Sequence, residues 1–182
     1  MTTIRPVDPA TATGTAKDLL AKVQASFGMT PNMMKVMAHS PATLGAYLQF
    51  AGTLGGGALP KALREQVALA VAGVNACTYC ASAHTAIGAG MGVSAEEARA
   101  NLLGNSADTK VKAALTFARS LVAKRGRLEA RDIAAVTAVG YSQSEVVELI
   151  GHVALNIFTN YFNLAVATDV DFPRVDVSQI AA

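Results

Sequence analysis

The sequence predicts an all-α fold, a compact bundle of about seven or eight helices. Three observations lead to this prediction: apolar residues recur at the spacing of one helix face, glycine and proline separate these segments, and capping residues precede several of them. Neither sustained polar–apolar alternation nor an Asn-Gly or Asp-Gly turn occurs, so no strands are expected. Because 52% of the 182 residues are hydrophobic and only 15% are charged, the chain can bury a sizeable core.

The predicted helices follow one another with short connections. An irregular arm is expected over residues 1–12 and an irregular tail over 170–182, and the whole chain, 1–182, is predicted to be a single domain with its core at about 25–175. In chain order the helices are expected near residues 15–27, 41–54, 60–74, 77–89, 95 onward, 110–124, 129–139 and 143–167, with one helical turn over 33–39.

Side chains that cap helices support these boundaries. Ser40 precedes a proline at the first helical position, and Asp108 precedes another apolar periodic segment. Capping boxes are predicted for the pairs Ser94 with Glu97 and Ser142 with Glu145.

Charge patterning excludes two classes of partner. The formal net charge is +2 and no basic stripe is present, so nucleic-acid binding is not expected. Residues 66–95 carry no charge, but their many polar side chains favour two buried helices, broken near Asn75-Ala76, over a membrane span. The low charge also favours an apolar surface that is buried in an oligomer.

The two cysteines, Cys77 and Cys80, are the first chemical signal. No apolar signal segment is seen over residues 1–9, which favours a reducing compartment and a cytoplasmic location. In such a compartment a close cysteine pair is typical of catalysis, redox chemistry or metal binding rather than of a structural disulfide.

Glu65 and His84 join the cysteines in one constellation. Positions i, i+3 and i+7 share a helix face, so both sulfurs and the His84 imidazole are predicted to line one stripe. Residues three apart on a helix have Cα atoms about 5 Å apart, which permits a disulfide. A helix N-terminus favours a thiolate at Cys77, while His84 lies one turn beyond Cys80 and can exchange a proton with it. Glu65 can act as a base or orient His84.

The same four residues also fit two simpler interpretations. Cys77 and Cys80 can be small buried hydrophobes, and together with His84 and Glu65 they can supply four zinc ligands. Because these ligands are few and lie mostly on one helix, redox thiol chemistry is favoured and no metal or other cofactor is predicted. The polar stripe His152, Asn156, Asn160 either makes buried hydrogen bonds or lines the thiol pocket.

The spacing Glu65-x11-Cys77-x2-Cys80-x3-His84 resembles the signature of AhpD-like alkylhydroperoxidases, in the carboxymuconolactone decarboxylase-like family. The resemblance covers about residues 25–175. Four further runs resemble the peroxidase-related branch of that family: residues 31–34, 38–41, 160–163 and 171–173.

This resemblance implies a helical fold that assembles as trimers or hexamers and reduces a peroxide with its own thiols. It implies that Cys80 attacks the peroxide, that Cys77 resolves the sulfenic acid to a Cys77–Cys80 disulfide, and that Glu65 and His84 relay protons. An external dithiol, such as a protein-bound lipoyl group, then reduces the disulfide.

One position departs from the pattern, because AhpD has a second histidine where this chain has Tyr79. The relay is then shorter, or it uses the phenol. The order of attack also stays open: the helix N-terminus favours Cys77, whereas the spacing to His84 and the resemblance favour Cys80. Two other functions remain as alternatives, a carboxymuconolactone decarboxylase-like enzyme acting on a small lactone or acid, and a redox-sensing oligomer.

Overall fold

A computed structural model describes residues 2–177, and these residues contain nine helices and no strand, which confirms the all-α prediction. The count exceeds the predicted seven or eight because the turn expected over 33–39 forms a helix of its own. In chain order the helices are α1 (Gly14–Phe27), α2 (Asn32–Met37), α3 (Pro41–Gly55), α4 (Lys61–Val74), α5 (Thr78–Ala89), α6 (Ala95–Leu102), α7 (Thr109–Ala123), α8 (Ala130–Ala138) and α9 (Gln143–Val166).

Most of the predicted caps are present. Ser40 accepts a hydrogen bond from the N–H of Thr43, and Asp108 accepts from two N–H groups of α7. Ser142 and Glu145 form the complete predicted capping box.

The predicted capping box at Ser94 is only half formed. Ser94 accepts from the N–H of Glu97, but the Glu97 carboxylate instead accepts from Ser106 and from the side-chain amides of Gln66 and Asn101. This carboxylate therefore fastens α6 to α4 and to the following loop, a set of tertiary contacts that local spacing does not encode.

Helix α4 occupies the centre of the bundle. Residues 66–72 are buried all round the helix, with α5, α6, α7 and α9 packed against it. The approach of α6 is close enough to require a glycine, because a Cβ at Gly73 would lie 1.9 Å from the carbonyl oxygen of Leu102. The most central helix thus carries Glu65 at the edge of its uncharged run.

Helix α9 has two contrasting faces. By length and composition alone it would suit a membrane span, yet its inner face packs against α3, α4 and α7 and carries buried polar side chains such as His152 and Asn160. The outer face is exposed and apolar. It presents Val147, Ile150, Phe158, Tyr161 and Leu164.

The segment that follows α9, residues 169–177, crosses over α2 and α5, and we call it the C-terminal strap. Asp171 accepts a hydrogen bond from the N–H of Asn32 at 2.7 Å, and the N–H of Val175 donates to the hydroxyl of Ser82 at 2.9 Å. Residues 2–13 and 168–176 are irregular. The last part of the predicted tail, 178–182, lies outside the described residues.

Candidate active site

A tight break in the backbone places the two cysteines. Helix α4 ends at Val74, Ala76 adopts a left-handed conformation with φ of 52°, and α5 begins at Thr78. The N–H of Cys77 donates back to the carbonyl of Ala72 at 3.0 Å, which closes the turn. The break predicted near Asn75-Ala76 is therefore present, and it leaves Cys77 as the N-cap of α5.

The two sulfur atoms lie 2.7 Å apart, and both cysteines are free thiols. The sulfur of Cys77 accepts a hydrogen bond from the N–H of Cys80 at 3.4 Å, in the position that a capping oxygen would take. Both cysteines are almost fully buried, at 1% and 2% exposure, and Cys80 is the one that lines the cavity described below. The predicted common stripe is therefore shorter than expected: Cys80 and His84 share it, and Cys77 is turned toward the end of the helix.

Glu65 and His84 form a direct pair between α4 and α5. The Nδ1 atom of His84 lies 2.7 Å from a carboxylate oxygen of Glu65, and the two side chains are only 22% and 16% exposed. Burial alone would lower the pKa of His84, but the charge and hydrogen bond of Glu65 outweigh it and raise that pKa. The imidazolium form is thus held to higher pH than in an ordinary histidine.

The two thiols differ in ionisation. The hydrogen bond from Cys80 lowers the pKa of Cys77 in spite of burial, with help from backbone N–H groups and the charge of His84. Burial, together with the neighbouring Cys77 sulfur, raises the pKa of Cys80 well above its usual value. The sulfurs are close enough to share one proton, so the pair ionises as a unit with the thiolate favoured on Cys77.

Beside Cys80 and His84 lies a cavity of about 460 Å³, which we call the thiol cavity. Much of its wall is apolar, and a smaller set of polar side chains faces the same space. The large apolar residues of the wall are Phe27, Met29, Met33, Met34, Ile87, Met91, Leu155 and Phe172. The polar and charged residues, besides Glu65, Cys80 and His84, are Tyr47, Lys61, Arg64, Tyr79, His152, Asn156, Thr159 and Asn163.

Two of the polar-stripe residues reach this cavity. His152 and Asn156 line it, whereas Asn160 lies behind and accepts a hydrogen bond from Asn75. The Nε2 atom of His152 is buried and has no hydrogen-bond partner within the described residues. Burial and the nearby Arg64 lower the pKa of His152, so it is neutral at physiological pH.

Tyr79 is held as part of the scaffold. Its hydroxyl accepts a hydrogen bond from the N–H of Met33 at 3.2 Å, and its ring packs edge-on against Phe172 of the strap at 5.9 Å. Burial raises the pKa of Tyr79, and the neighbouring Asp171 adds to the effect. The phenol is therefore a neutral group that joins α5, α2 and the strap.

Sequence reasoning missed two residues near the sulfur. The side-chain amide of Asn163 donates to Cys80 at 3.4 Å and to the sulfur of Met33 at 3.1 Å. It extends the stripe of Asn156 and Asn160 by one turn, so helical spacing could have found it. Tyr47, on α3, also faces the cavity, and no motif in the sequence marks it.

Over residues 2–177, no group of three or more His, Cys, Asp or Glu side chains is arranged to hold a metal ion.

The fold and this site define a helical dithiol protein: a Cys-x-x-Cys pair at a helix start, beside a histidine–carboxylate pair. Residues 41–124 match the carboxymuconolactone decarboxylase family. No curated protein matches the chain.

Solved structures extend the similarity over nearly the whole chain. An uncharacterized peroxidase-related protein with an alkylhydroperoxidase AhpD core, from Ralstonia eutropha JMP134, has a TM-score of 0.85 and 20% identity over 93% of this chain and 92% of its own. A peroxidase-related protein from Silicibacter sp. TM1040 has a TM-score of 0.79 and 21% identity, covering 91% of each chain. The debrominase Bmp8, as a cysteine-to-alanine variant with 2,3,4-tribromopyrrole, has a TM-score of 0.79 and 18% identity over 100% of this chain and 96% of its own.

At these identities the solved structures establish the fold, which is AhpD-like, as the spacing of the motif predicted. The match over residues 41–124 shows that this part of the chain is similar to the carboxymuconolactone decarboxylase family.

Proposed function

We propose that this protein is a thiol-dependent peroxidase that cycles the Cys77–Cys80 pair between dithiol and disulfide. The observation that carries the proposal is the pair of free sulfurs 2.7 Å apart, one of which faces a cavity that also contains the His84–Glu65 pair. Two thiols store the two electrons that peroxide reduction needs, so the reaction requires no further cofactor.

In the proposed cycle Cys80 attacks first. Its thiolate bonds to one peroxide oxygen, the O–O bond breaks, and the other oxygen leaves as an alcohol, with the net gain of the proton that the Cys80 thiol released; Cys80 becomes a sulfenic acid. The Cys77 sulfur then attacks the Cys80 sulfur and expels hydroxide, which leaves as water with a proton from His84, and the proton of the Cys77 thiol restores His84. An external dithiol, such as a dihydrolipoyl group, exchanges with the disulfide and restores both thiols.

Two observations favour different cysteines as the first to attack the peroxide. Cys77 holds the thiolate more readily, whereas Cys80 faces the cavity. We assign the attack to Cys80, because a peroxide has to reach the sulfur and one proton can move between atoms 2.7 Å apart. The amide of Asn163 supports this assignment, since it donates to the Cys80 sulfur and stabilises a negative charge there.

The relay in this proposal is the short one, Glu65 to His84, without the phenol of Tyr79. The hydroxyl of Tyr79 is occupied by the N–H of Met33, and burial keeps it neutral. His152 and Asn156 are assigned to substrate contact, as they line the cavity.

The proposal is tested by incubating the reduced protein with cumene hydroperoxide, with and without dihydrolipoamide. We expect one disulfide per chain without the donor, counted by loss of two titratable thiols, and continuous peroxide consumption with it. A disulfide without turnover would favour the redox-sensing oligomer. Failure to form any disulfide would overturn the peroxidase and direct attention to lactone substrates.

A second candidate, reductive dehalogenation, is favoured by one observation. A structural neighbour is a debrominase whose cysteine variant was crystallised with a brominated pyrrole, and the thiol cavity here is apolar with Cys80 in its wall. The same two thiols balance that reaction: an aryl bromide and two thiols give the arene, bromide, a proton and a disulfide. Bromide release from 2,3,4-tribromopyrrole by the reduced protein, faster than peroxide reduction, would identify this function.

We also propose that the protein is a homo-oligomer, a trimer or hexamer as the family resemblance implies. The support is the uncharged outer face of α9, from Val147 to Leu164, which is larger than the isolated exposed apolar residues typical of a monomer. Light scattering of the purified protein gives the subunit number, and a monomer would refute the proposal. A thiol pair that must be reduced between turnovers fits a cytoplasmic location.

A further inference from the structure

Tyr47 is a polar cavity residue that the proposed cycle has not used. It lies on α3 with its ring packed at a tilt against Phe158, 6.4 Å between centroids, and it lines the thiol cavity. The chain has four tyrosines. The hydroxyls of Tyr79 and Tyr141 are engaged with backbone groups, at Met33 and Lys110.

The hydroxyl of Tyr47 differs, because no hydrogen bond among residues 2–177 ties it to the scaffold, and its side chain lines the thiol cavity. A phenol that is packed on its ring and left without a partner at its oxygen is available to a molecule in the cavity.

The electrostatic surroundings keep this hydroxyl protonated. Burial, followed by the negative charges of Cys80 and Glu65, raises the pKa of Tyr47 to about 12. Tyr47 therefore lies within electrostatic range of the attacking sulfur, and at neutral pH it is a neutral donor rather than a phenolate.

We propose that Tyr47 is a catalytic residue that donates its hydroxyl proton to the leaving oxygen of the hydroperoxide as Cys80 attacks. The inference rests on the proposed peroxidase function. The Cys80 thiolate, the hydroperoxide ROOH and the Tyr47 phenol give the Cys80 sulfenic acid, the alcohol ROH and a Tyr47 phenolate. Water then returns a proton to the phenolate, and the resulting hydroxide is neutralised by the proton that Cys80 released when it ionised.

The cycle has two leaving groups, and this assignment supplies a donor for each of them. His84, bound to Glu65 through Nδ1, serves the ionisation of the thiol pair and the water that leaves when the disulfide forms. An alkoxide is a strong base and a poor leaving group, so a positioned acid at the first step accelerates it by about 10²-fold or more.

The test is the substitution Tyr47→Phe, which keeps the ring on Phe158 and removes only the hydroxyl. We expect single-turnover oxidation of the thiols by cumene hydroperoxide to slow by about 10²-fold. Oxidation by peracetic acid should be unchanged, because acetate leaves without a proton. Alkylation by iodoacetamide should also be unchanged, because iodide needs no proton either. Tyr141→Phe, which removes a tyrosine hydroxyl that lies outside the cavity, is the matched control.

Each outcome decides the inference. A slower reaction of Tyr47→Phe with cumene hydroperoxide alone supports the inference. An equal loss with all three reagents would overturn it, because Tyr47 would then act on the thiol and not on the leaving group. Rates equal to wild type with cumene hydroperoxide would also overturn it while leaving the peroxidase intact. If the wild-type thiols do not react with any hydroperoxide, the proposed function itself fails and this inference falls with it.

Discussion

Replacing Cys80 with serine should abolish peroxide consumption, lowering the rate by on the order of 10³-fold or more. The serine hydroxyl is not ionised at neutral pH and cannot give two electrons to the peroxide as the thiolate does when it becomes a sulfenic acid. Turnover is measured with cumene hydroperoxide and dihydrolipoamide, alongside a count of the remaining thiol. The change replaces one sulfur atom with a slightly smaller oxygen atom, so the start of α5 at Cys77 should be retained. Circular dichroism can verify that the helices are intact.

The matched variant Cys77→Ser separates the two sulfurs. We expect it to lose continuous turnover as well, yet to react once with peroxide, because Cys80 is intact and its sulfenic acid has no partner. Dimedone should then label one site per chain in Cys77→Ser and none in Cys80→Ser. The reverse labelling pattern would assign the attack to Cys77, the sulfur with the lowered pKa, and would contradict the assignment by access.

The second large effect is expected for Glu65→Gln. In the wild type Glu65 raises the pKa of His84, and the positive charge of His84 in turn lowers the pKa of Cys77. Glutamine keeps a hydrogen-bonding oxygen but removes the negative charge, so the pKa of His84 falls and its charge is lost at lower pH. The pKa of Cys77 then rises, and the pH profile of thiol alkylation should move to higher pH.

At neutral pH we expect alkylation of Glu65→Gln to be about tenfold slower, since one unit of pKa changes the thiolate fraction tenfold. Peroxide turnover should fall by about 10²-fold, because proton transfer is impaired as well. Well above the pKa of the wild-type thiols the alkylation rates should converge. Glu96→Gln, on the exposed side of α6, serves as the control. Superimposable pH profiles for Glu65→Gln and wild type would reduce Glu65 to a packing role.

Local sequence signals were sufficient for the order of the helices. Serine and aspartate caps, prolines at helix starts and glycines at helix ends act within one turn of the chain, so their spacing encodes them directly. The pairing of Glu65 with His84 could also be predicted from the sequence, because a lone carboxylate at the edge of an uncharged run needs a partner. The hydrogen bonds of the Glu97 carboxylate could not be predicted, since its three partners come from α4, α6 and a loop.

The position of Cys77 shows a second limit. The rule that i, i+3 and i+7 share a face holds only within a helix, and Cys77 stands at the N-cap, where the backbone is extended with ψ of 94°. A shift of one residue in the predicted start of α5 therefore changes whether the sulfur of Cys77 is expected to face the cavity. The position of Tyr47 in the cavity could not be predicted for another reason. The direction of its side chain depends on how α3 is rotated against α9, which is set by tertiary packing.

The C-terminal strap has a consequence for the protein while it is being made. Its hydrogen bond from Val175 to Ser82 joins groups 93 residues apart, a length that a ribosome adding about 5–20 residues per second needs on the order of ten seconds to make. Both cysteines leave the ribosome first, and Phe172 reaches Tyr79 only at the end of that interval. Each newly made chain therefore passes through a period in which cellular oxidants and small thiols can reach its sulfurs before the wall of the cavity exists.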